Sequence, residues 1–247
     1  MTVAMNLLEI GEKICMNETL ADVRIGLGYT CIELRDGATG IAWTPGADGG
    51  SSCTHLSQAG TIQERSERDI LGLLASDNSL ERALGLAAFN AVNSRQKRQF
   101  EDDEAITTLG IQPTDKVVMV GHFGPIIPRL QQTGCTLDVL DLNAAKPGIV
   151  DLRRGPDLLA ACDVAIITAT SIINGTIDGL LSRLTNNRAA VLLGPSTPLC
   201  PEAFATSRLT QLSGAMVRNS EPLKRIISQG GGTMLMKRHL HFVTARL

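Results

Sequence analysis

Four short clusters in the second half of the chain carry the side chains best suited to chemistry: Gly121-His122-Phe123-Gly124, Asp141-Leu142-Asn143, Thr168-Ala169-Thr170-Ser171 and Gly194-Pro195-Ser196-Thr197. Each follows an apolar run and combines small, polar or flexible residues, the composition expected where a strand ends at a ligand. His122 has the most versatile side chain among them. An imidazole exchanges protons near neutral pH, so it can serve as acid or base, and its neutral form binds a metal through one ring nitrogen. If His122 binds a transition-metal ion, Asp141 is the nearest oxygen ligand along the same edge. The competing reading of a single histidine after a strand is a structural one, and His55, His239 and His241 have no motif around them. The third cluster runs on into Asn174-Gly175-Thr176, ahead of an apolar helical stretch. Two readings of it stay open: a helix start whose unpaired N–H groups attract an anion, or simple capping of that helix by Asn174 and Thr176.

Familiar nucleotide and nucleophile motifs fit poorly. Asp141 lies about twenty residues after Gly121, where an acidic residue grips a ribose in dinucleotide-binding folds, but the glycines do not form G-x-G-x-x-G. Gly26-Leu27-Gly28 is followed by a strand pattern, not a helix. Gly194-Pro195-Ser196-Thr197-Pro198 lacks the G-x-S-x-G elbow of a serine hydrolase, and its prolines make a rigid extended loop. Gly230-Gly231-Gly232 lacks the Lys-Ser/Thr pair of a phosphate loop and reads as a connector before the last strand.

Placing four clusters along one edge requires parallel strands. The runs Val117-Val118-Met119-Val120, Leu137-Asp138-Val139-Leu140, Val164-Ala165-Ile166-Ile167 and Val191-Leu192-Leu193 are apolar throughout, as in strands covered on both faces. Their separations of roughly twenty to twenty-seven residues suit helical crossovers. The fold class is therefore α/β, with a Rossmann-like parallel sheet. Ahead of it, residues 1–16 read as an amphipathic helix. Residues 22–28, 29–35 and 41–43 read as a small antiparallel sheet with a turn over 36–40, and 64–75 and 79–91 read as two helices, the second capped by Ser79. The charged stretch 93–104 reads as a solvated linker or linker helix, which divides the chain into a small α+β domain over 1–94 and the Rossmann-like domain over 95–247.

Composition narrows the partners. A chain with 43% hydrophobic and 19% charged residues can bury a proper core, and its only low-complexity tract is 46–52. Net charge of -2 and a pI near 6.1 give no basic field for nucleic acid. No apolar run approaches the roughly twenty residues that span a bilayer, and residues 1–16 lack the pattern of an export signal, so the expectation is a cytoplasmic protein with no membrane partner. Cys15, Cys31, Cys53, Cys135, Cys162 and Cys200 are scattered without zinc-site spacing and read as reduced structural residues. Self-association into a homo-oligomer is left open.

Gly85-Leu86-Ala87-Ala88-Phe89-Asn90-Ala91, Gly121-His122-Phe123, the stretch from Thr168 to Thr176 and Gly194-Pro195-Ser196-Thr197-Pro198 together resemble the "putative heavy-metal chelation" family. The resemblance spans nearly the whole chain. It implies an N-terminal domain like that of enolase, a Rossmann-like C-terminal domain and a site in the cleft between them. Asn90 of the first domain would face His122, Asp141, Thr170, Asn174 and Ser196 of the second, with Gly121, Phe123, Thr168, Ser171, Gly175, Thr176, Gly194 and Thr197 completing the ligand-binding set. Ala169 stands where the family pattern has a glycine, and Gly124 where it has a proline, so the backbone near Thr168 is expected to be crowded. The function this implies is binding of a metal ion, or of a small anionic metal-chelating molecule, in the cleft. The alternatives are an enzyme acting on a small metabolite or nucleotide-like substrate with His122 as acid or base, and an assembly subunit with a vestigial cleft.

Overall fold

The computed structural model describes residues 1–46, 54–102 and 104–247, so Cys53, Asp103 and most of the low-complexity tract lie outside the described residues. The amphipathic pattern of the N-terminus forms α1 (Val3–Ile14), whose first turn is capped by Thr2 and which buries Val3, Leu7 and Gly11 along one face. Three short runs then form an antiparallel meander, β1 (Leu20–Ile25), β2 (Tyr29–Leu34) and β3 (Thr39–Trp43), in the order β1-β2-β3.

The helix expected over 64–75 is broken. A 3-10 turn at Ile62–Glu64 gives way to an extended Arg65, and Ser66 starts a fresh helix, α2 (Glu67–Leu71), through a reciprocal capping box with Asp69. The next helix, α3 (Ser79–Ser94), is capped by Asn78 and not by Ser79. The Asn78 side-chain oxygen accepts from the amides of Leu80 and Glu81, and Ser79 is the first helical residue. Small residues on α3, including Gly85, Ala87, Ala88 and Ala91, are buried, so the helix lies close against the meander.

The charged stretch after α3 is irregular and exposed at Lys97, Gln99, Glu101 and Asp102, but it is pinned at several points. Arg95 pairs with Asp36 and Glu67, Arg98 pairs with Glu202, and Glu101 exchanges two backbone hydrogen bonds with Thr244. Opposite charges waiting elsewhere in the fold explain a run that by itself looks hydrophilic.

All four predicted parallel strands are present: β4 (Lys116–Val120), β5 (Thr136–Leu140), β6 (Val164–Thr168) and β7 (Ala189–Leu193). Between them lie α4 (Ile127–Gln132), α5 (Gly155–Ala161), α6 (Thr170–Ile173) and α7 (Ile177–Ser182), and after them come β8 (Gln211–Val217), α8 (Ser220–Ser228), α9 (Thr233–Met236) and β9 (Leu240–Arg246). The sheet order is β5-β4-β6-β7-β8-β9, parallel except for β9. The apolar strands alternate between two cores. Val118, Ala165, Ile167, Ala190 and Leu192 join a cluster that continues into α1, α3 and the meander, while Val117, Met119, Val164, Ile166 and Val191 pack with Leu130 on the other face. A third cluster seats Leu223 and Ile227 of α8 on Tyr29, Cys31 and Ile41 of the meander.

Cys15, Cys31, Cys135, Cys162 and Cys200 are free thiols. Burial pushes Cys31 up to about 12 and Cys162 and Cys200 to about 11, which leaves these three protonated and inert at neutral pH. No helix among the described residues is long and apolar enough to cross a membrane.

Candidate functional site

Strand order reverses at β4. The chain leaves β4 toward β5 on one side and enters β6 on the other, and such a switch point opens a crevice at the carboxyl ends of the strands. A cavity of about 680 Å³ occupies it. Its wall collects Gly121, His122 and Phe123 from the end of β4, Asp141, Leu142 and Asn143 from β5, and Thr168, Thr170 and Ser171 from β6. Asn174 and Thr176 add the turn before α7.

Gly121 sets the shape of the first loop. Its φ is 93°, in the left-handed region, and a Cβ there would lie 2.9 Å from both Cβ and Cγ2 of Thr168. Glycine therefore meets a conformational and a steric demand at once. The close approach to Thr168 found here is that of Gly121, a different contact from the one expected of Ala169.

Asp141 is fully engaged. It accepts from the His122 amide at 2.9 Å, the Asn143 amide at 2.8 Å and Lys146 Nζ at 2.8 Å. Burial pushes its carboxyl up, but the Lys146 hydrogen bond and the two amides outweigh this and hold it below the usual carboxylate range. The contact to His122 is through the backbone, so Asp141 orients the loop that carries the imidazole. A carboxyl with a depressed folded-state pKa stabilises the fold above its unfolded value, and that stability disappears as pH falls through the folded value. Asp141→Asn is accordingly expected to lower stability at pH 7, with the gap to the parent closing below about pH 4. Urea titrations at pH 7 and pH 3 check this; a gap of equal size at both would show that the charge is irrelevant.

The β6 cluster is internally bonded. Thr168 Oγ1 and Thr170 Oγ1 lie 3.1 Å apart, and the buried Ser171 hydroxyl donates to the Thr168 carbonyl at 2.6 Å. Asn174 Oδ1 accepts from the Thr176 amide at 3.1 Å and its hydroxyl at 2.7 Å. Thr176 makes no side-chain cap for α7. The Asn174 oxygen is thus committed, whereas its amide nitrogen has no partner among the described residues, and the residue lines the cavity.

Five of the candidate residues stand outside the cavity wall. Gly175, with φ 78°, lies beside the Arg82 guanidinium. Asn90 donates from Nδ2 to the carbonyls of Ile41 at 2.9 Å and Ser196 at 3.2 Å. Ser196 is buried and accepts the Trp43 amide on Oγ at 2.8 Å. Thr197 is buried, and the Gly194 amide donates to the Ser213 carbonyl at 3.0 Å. Asn90, Gly194, Ser196 and Thr197 gather where β7 ends, one strand beyond the switch point, against the meander and α3. They knit the two sheets together, and through the Trp43 backbone Ser196 anchors one wall of the cavity.

Sequence reasoning overlooked Trp43, Lys146 and Arg183, all of which line the cavity. Lys146 had a signal, because Asp141-Leu142-Asn143 forms an Asx turn that brings the chain back toward Asp141. Arg183 had one too, lying seven residues after Thr176 on one helical face. Among the described residues, no group of three or more His, Cys, Asp or Glu stands together to hold a metal ion.

Two family models, both described as "Putative heavy-metal chelation", match the sequence, DUF364 over residues 104–246 and DUF4213 over residues 9–93. The chain belongs to this family. A DUF364-family protein of unknown function from Pyrococcus horikoshii superposes with a TM-score of 0.86 at 23% identity, covering 100% of both chains. Another from Desulfitobacterium hafniense gives 0.82 at 23% identity, covering 99% of this chain and 98% of that one. An uncharacterized protein of Methanocaldococcus jannaschii is 25% identical over 176 residues, 68% of this chain and 67% of its own length. These likenesses establish the DUF364 fold of the chain.

Proposed function

We propose that the cleft binds a small anionic organic molecule and receives a heavy metal as that molecule's complex, with His122 adding a donor from the protein. The carrying observation is the mismatch between the cavity and a bare ion: about 680 Å³ of space, and no cluster of three protein ligands among the described residues. A structural or catalytic ion ordinarily takes three or four protein ligands. The lining offers one imidazole, and a carboxylate that would have to give up Lys146 before it could bind metal. It also offers donors suited to an organic anion: the free amide of Asn174, and Arg183, which has no carboxylate partner among the described residues. The family's description favours a metal-linked role. On this reading residues 1–94 form one domain and 95–247 the other, and Trp43 is the first domain's contribution to the cleft.

The test compares zinc chloride alone with zinc premixed with pyridine-2-carboxylate, a small anionic chelator, by calorimetric titration. The premixed complex is expected to bind, and His122→Ala to weaken it about 10–100-fold, the range for loss of one support of a metal. Tight stoichiometric binding of zinc alone, abolished in His122→Ala, would overturn the chelate reading, as would indifference to both.

A further inference from the structure

The cavity is larger than the strand ends require, and its extra length runs between two helices. Leu152, Gly155, Pro156 and Leu159 line one side at spacings of three and four, the period of one helix face, along α5 and the 3-10 turn that leads into it. Gly179 and Leu180 line the other side from α7, between Thr176 at its start and Arg183 at its end. The side chains these helices contribute to the walls are mostly hydrocarbon, with Thr176 and Arg183 at the two ends of α7. Leu142 and Leu152, at 72% and 43% exposed, leave apolar surface uncovered at the rim.

We infer that the groove between α5 and α7 is an apolar subsite, which takes the aromatic or branched hydrocarbon body of the ligand whose anionic head sits at the strand ends. The head rests on the reading given above; the subsite rests on the groove itself. A cavity of about 680 Å³ falls within the roughly 300–1,000 Å³ typical of sites for small organic molecules, whose walls are mostly apolar with a few placed polar groups. Gly179 lines the groove and is exposed, and a Cβ built there meets nothing within 4 Å. Gly155 opposite is nearly filled, its Cβ position lying 3.3 Å from Leu140 Cδ1. A larger side chain at Gly179 therefore enters free space without disturbing the core.

The experiment uses Gly179→Leu in the full chain with two chelators that share one head. Quinoline-2-carboxylate carries a fused benzene ring that pyridine-2-carboxylate lacks. In the parent the quinoline acid, presented with zinc, is expected to bind at least about tenfold more tightly, the scale of a few added carbons in a hydrophobic pocket. In Gly179→Leu the two affinities should converge, with the pyridine acid unaffected and the melting temperature unchanged or raised. Equal affinities in the parent, or a preference that survives in Gly179→Leu, overturn the subsite while leaving the chelate reading intact. If neither acid binds, the metal-free fluorophore 1-anilinonaphthalene-8-sulfonate decides. Fluorescence enhancement lost in Gly179→Leu upholds the subsite without the chelate reading, and enhancement equal in both proteins sinks it.

Discussion

Gly40→Ala is expected to unfold the protein at ambient temperature or to remove at least about 3 kcal/mol of stability, the upper end of overpacking effects. A Cβ at residue 40 would lie 2.2 Å from the Ala87 carbonyl oxygen and 2.2 Å from the Ala91 amide nitrogen. Both are backbone atoms in the middle of α3, so no side chain can rotate out of the way. The whole helix must retreat from β3, opening the core around Leu86, Ala87 and Phe89. Asn90 would move with it, losing its hydrogen bonds to the carbonyls of Ile41 and Ser196. Gly37, in the turn that leads into β3, is the control. Its φ of 87° is strained for most residues, but its Cβ position is empty. Asparagine tolerates that conformation, so Gly37→Asn should fall within about 1 kcal/mol of the parent while Gly40→Asn fails to fold. Urea unfolding followed by the fluorescence of the single tryptophan, Trp43, measures all three. Equal losses at the two positions would mean that the turn, and not the helix approach, dictates glycine.

That pair of glycines shows where sequence reading reached and where it stopped. Asp36 to Gly40 reads as a turn on composition alone, but the turn ends at Ala38, and Thr39 and Gly40 already belong to β3. The reason for the last glycine is a helix more than forty residues later in sequence, and no local pattern carries that information. Secondary structure was legible where a local cause dominates. Val117 to Val120 and Val164 to Ile167 are apolar throughout because alternate side chains meet different cores on the two faces of a covered sheet, so the pattern betrays its own environment. The break between 64 and 75 was also local, since Ser66 and Asp69 form a capping box, but apolar periodicity on either side masked it.

The cleft was legible by halves for a topological reason. Polar residues at four strand ends suggest one shared edge, and all four do lie there. Strand order then selects among them: the switch point falls at β4, so the ends of β4, β5 and β6 face the cavity while the end of β7 is covered by β3 and α3. Strand order cannot be read from the runs themselves. Asp141 shows the same limit at the scale of one side chain. Its position at the end of β5 was foreseeable, but its engagement by Lys146 depends on a turn that returns the chain within 2.8 Å.

Charge was the least legible feature, and Arg95 carries the second large prediction. In a stretch with Arg98, Glu101 and Asp102 it resembles a solvated cation, yet its side chain is only 9% exposed. Its Nη1 and Nη2 donate to the two carboxylate oxygens of Glu67 at 2.9 Å and 2.7 Å, and Nε donates to Asp36 at 2.7 Å. Glu67 has no exposed surface at all, and it also accepts the Met16 amide at 2.8 Å. Two pieces of chain, the β2–β3 turn and the start of α2, thus converge on one guanidinium at the end of α3, and the segment after α1 joins them through Glu67. Arg95→Met keeps the length of the side chain and removes the charge, leaving the Glu67 carboxylate buried with a single amide for company. Breaking a buried pair from one side costs about 3–5 kcal/mol, mostly the penalty of the orphaned charge. Neutralising the orphan should restore much of it, because the fully formed pair owes its stability to compensation and not to a large net gain. Arg95→Met is therefore expected to lose that amount in urea unfolding, and Arg95→Met with Glu67→Gln to recover at least half. If the double variant is as unstable as the sum of the single ones, the loss lies in the packing of the arginine stem and the pairing contributes little.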